Sequence, residues 1–499
     1  MPGRTDPPAS ESPKPAPGSG ESLRRSLAYF GTVVAGQGIS LLLLPFVTRA
    51  LAPEVYGAYS LALAVSGLVG MVASSWIRNV ALRLYFDAAG RGASRGFYLG
   101  TVVVQALFFS VLYAAVVAAM AWLDVELASL SVMVRAGVMM LFGDLAVHSL
   151  TLLRAEKRTG AYAVGEIGAG VLRFVVTLGG LAVGVRSAEL LLDATAVGYA
   201  LAAAIAVPIL WRRMEGPSRI DLAGTLEVVR HGPGALPFSV AGWVERLADR
   251  LVIEYVMGTA AVGVYSVAYT LGERTMGTLV KAVFMMAWPN ILASWKEGGT
   301  ASARGAVRQA LALYGWFTCG PALFLIVYGG DLLRWFTGAA YHQATDVVAV
   351  VAASMWLGGV ASYLNRHLEL GKRFGTLSGV TMFGSAVNVA LNLWLVPRFG
   401  MLGAAWATLA NRLLNAAVFF VMRDRDLVSI PVRHVAAAIG GSLVNDYGTR
   451  IATVLLAQAV PMLGRMALRA ARFAGHPEPA PVAAVPDPGQ PAPAAEPDN

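Results

Sequence analysis

The sequence predicts an all-α polytopic membrane protein in which two six-helix bundles in parallel repeat surround a central cavity. Three observations predict this class. Hydrophobic residues make up 56% of the 499 residues and charged residues only 14%, whereas soluble domains carry about 25% charged residues. Apolar runs long enough to cross a hydrocarbon core of roughly 30 Å recur along the chain. The phrase Gly-x-Tyr-Ser-aliphatic-Ala occurs twice, at 57–62 and 263–268.

The candidate membrane spans form two sets of six on either side of a basic loop at 212–234. Each span is long enough to cross a bilayer as a helix. The first set comprises 27–47, 57–82, 98–122, 128–153, 162–184 and 188–211. The second set comprises 235–257, 261–288, 306–328, 347–365, 375–396 and 402–422.

A further apolar segment, 434–464, is interrupted by Asn445, Asp446 and Arg450. As one span it would leave the basic segment 465–473 on the outer side, against the positive-inside rule. As two short spans it returns that segment to the inner surface, where a basic helix can lie in the interface. We favour two spans, which predicts fourteen transmembrane helices in total.

Loop charges predict the orientation of the chain. With a cytoplasmic N-terminus, each inner segment holds two to four Lys or Arg residues, whereas the outer loops hold only Arg49, Arg186, Arg334 and Arg398. Positive residues collect on the cytoplasmic side of membrane proteins. The formal net charge of +9 is therefore attributed to topology and not to a nucleic-acid partner. We expect a multi-pass protein of the bacterial cytoplasmic membrane.

Composition also indicates where the chain divides. Its two ends are rich in Pro with Ser, Gly or Ala and lack an apolar core, which predicts disorder. The predicted parts are a leader (1–22), an N-terminal six-helix bundle (23–211), a cytoplasmic linker (212–234), a C-terminal six-helix bundle (235–425), two short additional helices with a basic interfacial segment (426–475) and a tail (476–499).

The repeated phrase indicates how the two bundles are related. The first copy opens span two and the second opens span eight, so both copies run through the membrane in the same direction. This is the parallel-repeat arrangement, with an axis along the membrane normal. An alternative is that small residues recur only because they let helices pack closely. Two like bundles would leave a seam, where an alternating-access transporter holds its substrate.

Four segments carry a resemblance to a known family: "LLLLPFVTRALAPEVYGAYSLA" (41–62), "ALRLYFDA" (81–88), "LADRLVIEYVMGTAAVGVYSVAY" (247–269) and "NLWLVPRFGMLGAAWATLAN" (392–411). In this order they resemble the polysaccharide-export flippases of the multidrug/oligosaccharidyl-lipid/polysaccharide superfamily. The chain departs from the family pattern after Leu427. The resemblance implies a flippase for undecaprenyl-pyrophosphate-linked oligosaccharides, with a cationic central cavity, that serves polysaccharide, O-antigen or exopolysaccharide biosynthesis. Polysaccharide polymerase machinery is then an expected partner.

Ionisable residues inside spans are costly and usually face a cavity, pair with each other or serve function. Guanidinium groups suit phosphate oxygens because they donate in a planar fork. The candidate substrate-binding residues are Arg78, Arg250, Arg274 and Lys281. The alternative for each is a structural ion pair, as for Glu166 with Arg173, seven residues apart in span five.

Transport could be coupled to a proton or a sodium ion through a buried carboxylate. The candidates are Glu245, Asp249 and Glu273, although each has a basic neighbour and could instead form a salt bridge. Asp144 with His148, one turn apart in span four, is a candidate proton relay or a structural pair.

Several motifs are absent, and they narrow the chemistry. The sequence has no Gly-x-x-x-x-Gly-Lys-Ser/Thr phosphate loop and no His-Glu-x-x-His, and its single cysteine, Cys319, excludes an internal disulfide. We expect no catalytic residue, cofactor or metal. A cation-coupled multidrug exporter and a peptidoglycan-precursor flippase are alternatives from the same superfamily. A membrane glycan polymerase or ligase is a further alternative, for which the longest outer loop offers only Asp331, Arg334, His342 and Asp346.

Overall fold

The computed structural model describes residues 19–231, 236–424 and 427, and every regular element in these ranges is helical. The first bundle consists of α1 (Ser19–Ala50), α2 (Pro53–Gly70), α3 (Trp76–Gly90), α4 (Ser94–Trp122), α5 (Leu130–Ala155), α6 (Thr159–Ala182) and α7 (Ala188–Trp211). The linker carries α8 (Leu222–His231). The second bundle consists of α9 (Leu236–Met257), α10 (Thr259–Gly272), α11 (Thr278–Phe336), α12 (Thr345–Leu364), α13 (Arg366–Leu370) and α14 (Phe374–Met422).

Short local signals set several helix ends. Ser129 and Ser187 precede α5 and α7, and their hydroxyls accept hydrogen bonds from the backbone N–H groups of Val132 and Leu190 at 3.3 and 3.4 Å. These bonds satisfy N–H groups that have no partner inside the helix. Pro53 stands in the first turn of α2, where its missing N–H removes no helical bond.

Nine helical stretches in the described ranges are long and apolar enough to cross a membrane. Two of them, Thr259–Phe336 with 78 residues and Phe374–Met422 with 49, are long enough for two crossings of a core of roughly 30 Å at a rise of about 1.5 Å per residue. The helix in the first stretch breaks at Gly299 (φ 61°) and the helix in the second breaks at Gly400 (φ 59°). The polypeptide turns back at each of these glycines. All twelve spans predicted between 27 and 422 fall on helices. The segment 434–464 lies outside the described residues, so the total of fourteen stays a prediction.

The two copies of the repeated phrase pack against each other where α2 crosses α10. A Cβ atom added to Gly57 would overlap the carbonyl oxygen of Thr259, and one added to Gly263 would overlap that of Pro53. Only glycine lets the two backbones approach this closely. Both spans also contain a five-residue π-helical segment near mid-span, Met71–Ser75 and Glu273–Gly277. The shared contact and the shared irregularity agree with two like bundles.

Further hydrogen bonds join the bundles beside this crossing, at the predicted outer end. The Tyr341 hydroxyl donates to the Leu51 carbonyl at 3.0 Å, and the Gly338 N–H donates to Thr48 Oγ1 at 3.2 Å. Arg49 donates to the Trp335 carbonyl at 3.0 Å. We call these three bonds together with the Gly57–Gly263 crossing the outer clasp.

The hydrophobic core also shows that the bundles are joined at one end. At the predicted outer end, Val47 and Leu61 of the first bundle share one cluster with Ile253, Tyr265 and Val351 of the second. At the predicted inner end each bundle has a separate cluster, one around Trp76 and Leu152 and the other around Val283, Tyr363 and Phe419. The bundles therefore share one buried cluster on the outer side, whereas their buried clusters on the inner side are separate and only partly buried Leu236 of α9 packs against that of the first bundle.

The linker is held against the first bundle. Arg95 donates to the carbonyl oxygens of Met214 and Gly216 at 2.9 and 3.2 Å, and the Glu215 N–H donates to the Ser94 hydroxyl at 2.9 Å. These bonds give Ser94 a structural role at the start of α4. The predicted leader overlaps α1, which begins at Ser19, and the segments 428–475 and 476–499 lie outside the described residues.

Candidate functional site

A polar cavity of about 200 Å³ lies at the seam between the bundles. Its walls come from α1, α5, α6 and α7 of the first bundle and from the π-helical segment of the second. Its polar side chains are those of Gln37, Ser40, Glu166, Arg173, Thr195, Tyr199 and Arg274. We call it the seam cavity. Two guanidinium groups and one carboxylate give it a net positive charge at neutral pH.

Arg274 is the cavity residue that the second bundle supplies. It lies in the segment Glu273–Gly277, and π-helical segments are frequent at functional sites because they turn side chains away from the regular helical positions. Its guanidinium donates to the amide oxygen of Gln37 on α1. The bond crosses the seam, so the position of this cation depends on how the bundles are arranged.

Arg173 supplies the second positive charge, from the first bundle. It lies seven residues after Glu166 on α6, which places both side chains on the same helix face. Arg173 donates to the Tyr59 hydroxyl at 3.4 Å, and Tyr59 belongs to the first repeated phrase. From the sequence, Arg173 was assigned only to an ion pair with Glu166 and was not among the candidate substrate-binding residues. Gln37 was not identified from the sequence. The available signal was that Gln37 is the one amide side chain in the predicted span 27–47.

Arg78 lies outside the seam cavity, in an ion pair. Its guanidinium is 3.3 Å from the Asp144 carboxylate, and the two side chains are 22% and 11% exposed. The Ser74 hydroxyl also donates to Asp144. His148 is 3.4 Å from the Thr101 hydroxyl and packs on the Tyr98 ring. Asp144 and His148 thus have separate partners, and the proton relay between them stays a prediction.

Arg250 is sealed in the core of the second bundle. Its guanidinium lies 3.1 Å from the Asp249 carboxylate, with side-chain exposures of 8% and 3%. It also lies over the Tyr269 ring, 4.9 Å from the ring centre, while the Tyr265 hydroxyl donates to Asp249. This geometry matches the structural alternative considered for Arg250, because the ion pair and the aromatic rings enclose the charge.

Lys281 and Arg274 lie seven residues apart but line different cavities. Lys281 is exposed and faces a pocket of about 170 Å³ with Ser362, Tyr363 and Arg366. Glu273 begins the π-helical segment next to Arg274. The side chain of Glu245 lies outside the described residues.

Four buried asparagines on α14 bond mainly along their own helix. Asn392 donates to the Asn388 carbonyl at 2.9 Å, and Asn415 donates to the Asn411 amide oxygen at 3.3 Å. The two arms of α14 meet at Gly384, where an added Cβ would come within 2.9 Å of Asn415 Nδ2. These contacts fix the fold of the arms against each other.

Helices in two like bundles, joined at one end and enclosing a polar cavity at their seam, are the architecture of a membrane transporter. The chain belongs to the polysaccharide biosynthesis protein family, whose family model matches residues 46–346. The resemblance read from the sequence is therefore confirmed. Family membership indicates a multi-pass membrane transporter and not a catalytic enzyme.

Two curated relatives come from Haloferax volcanii. The chain is 23% identical to the probable low-salt glycan biosynthesis flippase Agl15 over 414 residues, which cover 79% of this chain and 82% of the relative. It is also 23% identical to the probable flippase AglR over 217 residues, or 41% and 44% of the two chains.

Solved structures show the same fold at low identity. The inward closed conformation of the lipid II flippase MurJ aligns with a TM-score of 0.68 at 13% identity, covering 91% of this chain and 98% of that one. An inward-facing multidrug resistance transporter of the MATE family aligns with a TM-score of 0.60 at 13% identity, covering 82% and 95%. An outward-facing conformation from the same family aligns at 0.55, covering 83% and 96%.

Proposed function

We propose that this protein translocates a lipid-linked oligosaccharide, carried on undecaprenyl pyrophosphate, from the inner to the outer leaflet of a bacterial cytoplasmic membrane. The observation that carries the proposal is the seam cavity, where Arg173 and Arg274 reach one space from opposite bundles. A diphosphate offers the acceptor oxygens that guanidinium forks bind best.

The bond between Arg274 and Gln37 suggests how substrate and conformation are linked. The amide oxygen of Gln37 is a neutral acceptor, whereas a phosphate oxygen is charged and adds the attraction between opposite charges to the hydrogen bond. An entering phosphate would therefore draw Arg274 away from Gln37 and release a bond across the seam. Substrate binding would then favour rearrangement of the bundles, as alternating access requires.

The size of the seam cavity limits what it holds in this state. About 200 Å³ is less than the 300–1,000 Å³ typical of pockets for drug-sized ligands. The space suits a diphosphate but not a whole oligosaccharide. The sugars would extend toward the inner side, where each bundle has its own core, while the lipid tail stays in the bilayer.

Coupling to a proton or sodium ion stays a proposal. Of the candidates, Glu273 adjoins Arg274 in the π-helical segment. Protonation of Glu273 would remove a negative charge beside Arg274 and so change the electrostatic potential of the seam cavity. Asp249 is engaged with Arg250 and Tyr265, and Asp144 with Arg78 and Ser74. A partnership with polysaccharide polymerase machinery also stays a proposal.

A second candidate function is export of another cargo, either a peptidoglycan precursor or a drug coupled to a cation. The fold shared with the lipid II flippase and with multidrug transporters supports it. The charge of the seam cavity favours an anionic cargo over a cationic drug. A polymerase or ligase is disfavoured at the outer loop, where exposed Arg334 and Asp331 pair at 3.1 Å and His342 lies 3.4 Å from the Thr337 carbonyl.

Depletion of the protein in its own cells tests the proposal. Lipid-linked repeat units should accumulate on the cytoplasmic face, and Arg274→Ala should fail to clear them while Arg398→Ala, which removes an exposed outer arginine, should clear them normally. Unchanged sidedness of the repeat units together with altered drug efflux would replace the proposal with the exporter function.

A further inference from the structure

A second positively charged pocket lies in the C-terminal bundle, apart from the seam cavity. It has a volume of about 170 Å³ and lies between α11 and the end of α12. Lys281 and Phe284 line it on α11, and Ser362, Tyr363 and Arg366 line it from the other side. We call it the α11–α12 pocket. It lies at the predicted cytoplasmic end of the bundle.

Arg366 is held in place before any ligand arrives. Its guanidinium lies over the rings of Phe284 and Trp288, 4.5 and 5.1 Å from their centres. It donates to the Ser362 carbonyl and to the Glu369 carboxylate. These bonds use two of the five N–H groups that an arginine carries. Because Glu369 balances Arg366, Lys281 gives the pocket a net positive charge.

Tyr363 supplies an unused donor. The residue is 1% exposed and lines the pocket, yet its buried hydroxyl has no hydrogen-bond partner in the part of the chain that the structure describes. A buried polar group without a partner is costly, so each such group calls for an explanation. A bound anion would accept a bond from this hydroxyl and remove the cost.

We propose that the α11–α12 pocket binds the phosphate group of a membrane lipid. Ammonium, guanidinium and phenol donors meet there, and all three bind phosphate oxygens. The aromatic side chains beneath Arg366 keep its fork oriented. The phosphate could belong to the transported lipid or to an anionic phospholipid of the inner leaflet.

If the phosphate belongs to the transported lipid, the pocket is a loading site, and that role rests on the proposed function. Lys281 lies about 10 Å along the helix from Arg274, at a rise of about 1.5 Å per residue. A diphosphate could pass from the α11–α12 pocket to the seam cavity along the helix surface, and it would stay within the positive potential of Lys281 and Arg274.

Titration of the purified full-length protein with inorganic pyrophosphate tests the proposal. The titration is done in an Arg274→Ala background, which removes the seam cavity's cation from the second bundle. Lys281→Gln should weaken the remaining binding about tenfold, since a charge-assisted bond is lost. Tyr363→Phe should also weaken it about tenfold, because the hydroxyl's bond to a charged phosphate oxygen is lost. Lys296→Gln, an exposed lysine elsewhere on α11, is the control for charge and should leave it unchanged.

The unliganded protein provides a second, independent readout. Because the Tyr363 hydroxyl has no partner to lose, Tyr363→Phe should leave the unfolding temperature unchanged or raise it without pyrophosphate, and should reduce the rise that pyrophosphate produces. A lower unfolding temperature without ligand would show that the hydroxyl stabilises the fold and would overturn the inference.

Bilayer composition identifies the source of the phosphate. If phosphatidylglycerol is the ligand, pyrophosphate should bind more weakly in phosphatidylglycerol bilayers than in phosphatidylcholine bilayers, and Tyr363→Phe should reduce the difference. If the transported lipid is the ligand, undecaprenyl pyrophosphate should displace pyrophosphate equally in both bilayers.

The outcomes separate this inference from the proposed function. The pocket is overturned if Arg274→Ala loses all pyrophosphate binding, or if the Lys281 and Tyr363 variants bind pyrophosphate as tightly as the Arg274→Ala background. Either result leaves the flippase proposal standing. Binding that depends on Lys281 and Tyr363, in a protein that moves no lipid-linked oligosaccharide, supports the pocket and removes the flippase proposal.

Discussion

Replacing Gly263 with alanine should open the outer clasp. The added Cβ would overlap the Pro53 carbonyl oxygen, lie 2.8 Å from the Pro53 carbonyl carbon and lie 3.0 Å from the Gly57 nitrogen. All three atoms are backbone, so no side chain can rotate away. The strain exists only while α2 and α10 touch, which is the state in which the outer side is closed.

The structure sets the size of the effect. Forcing a methyl group into a packed contact costs about 2 kcal/mol. Alanine also favours a helix over glycine by about 1 kcal/mol, but this gain is the same in the closed and open states and cancels. At 1.4 kcal/mol for each factor of ten, the ratio of open to closed protein should rise about 30-fold.

Thiol labelling can measure that ratio. The sequence has one cysteine, Cys319, so Cys319→Ala gives a cysteine-free chain. Ser266→Cys then places one thiol at a position that is 2% exposed and one turn from Gly263. A membrane-impermeant maleimide added from outside should label it about 30-fold faster in Gly263→Ala.

The control is Gly379→Ala, a helical glycine whose added Cβ meets no described atom within 4 Å. It should label at the starting rate. Equal labelling rates in the Gly263 and Gly379 variants would refute the view that the Gly57–Gly263 crossing keeps the outer clasp closed.

Three other predictions follow from single residues. Arg274→Ala should lower translocation by about 10- to 100-fold at normal protein level, since a charge-assisted contact is lost, and Lys281→Ala should also lower it; normal transport in the double variant would remove both residues from the path. Arg250→Met should destabilise the protein by about 3–5 kcal/mol, because it leaves Asp249 buried without its cation. Arg334→Met, at an exposed ion pair, should cost under about 1 kcal/mol. Equal unfolding temperatures of these two variants would contradict the prediction. Gly400→Ala should lower the free energy of unfolding by about 1–3 kcal/mol, because φ at this position is 59°. The loss should appear as a lower yield of folded protein, and a yield equal to that of Gly379→Ala would argue against the reversal at Gly400.

Hydropathy and the repeat predicted most of the fold. An apolar run of span length has few alternatives to a helix, because lipid cannot satisfy backbone groups. The repeated phrase correctly pointed to two like bundles. It did not reveal that its glycines contact each other across the seam, because sequence position carries no information on which distant helices cross.

The site was harder to predict than the fold. Charge inside a span marks a residue as unusual but does not tell a cavity cation from a buried pair. Arg250 and Arg274 look alike in sequence, yet one is enclosed by Asp249 and Tyr269 and the other faces the seam cavity. Arg366 lies between the predicted spans 347–365 and 375–396, where the sequence predicts an exposed basic loop, yet it is 6% exposed.

The most direct measurement uses sealed vesicles that contain the purified protein and a lipid-linked oligosaccharide in both leaflets. An external glycosidase reports how much of the sugar is reachable from outside. Active protein should let the enzyme consume nearly the whole pool, and Arg274→Ala should hold it near the half present in the outer leaflet. Consumption that stops at the outer leaflet for the unaltered protein, under every ion gradient applied, would contradict the proposed transport.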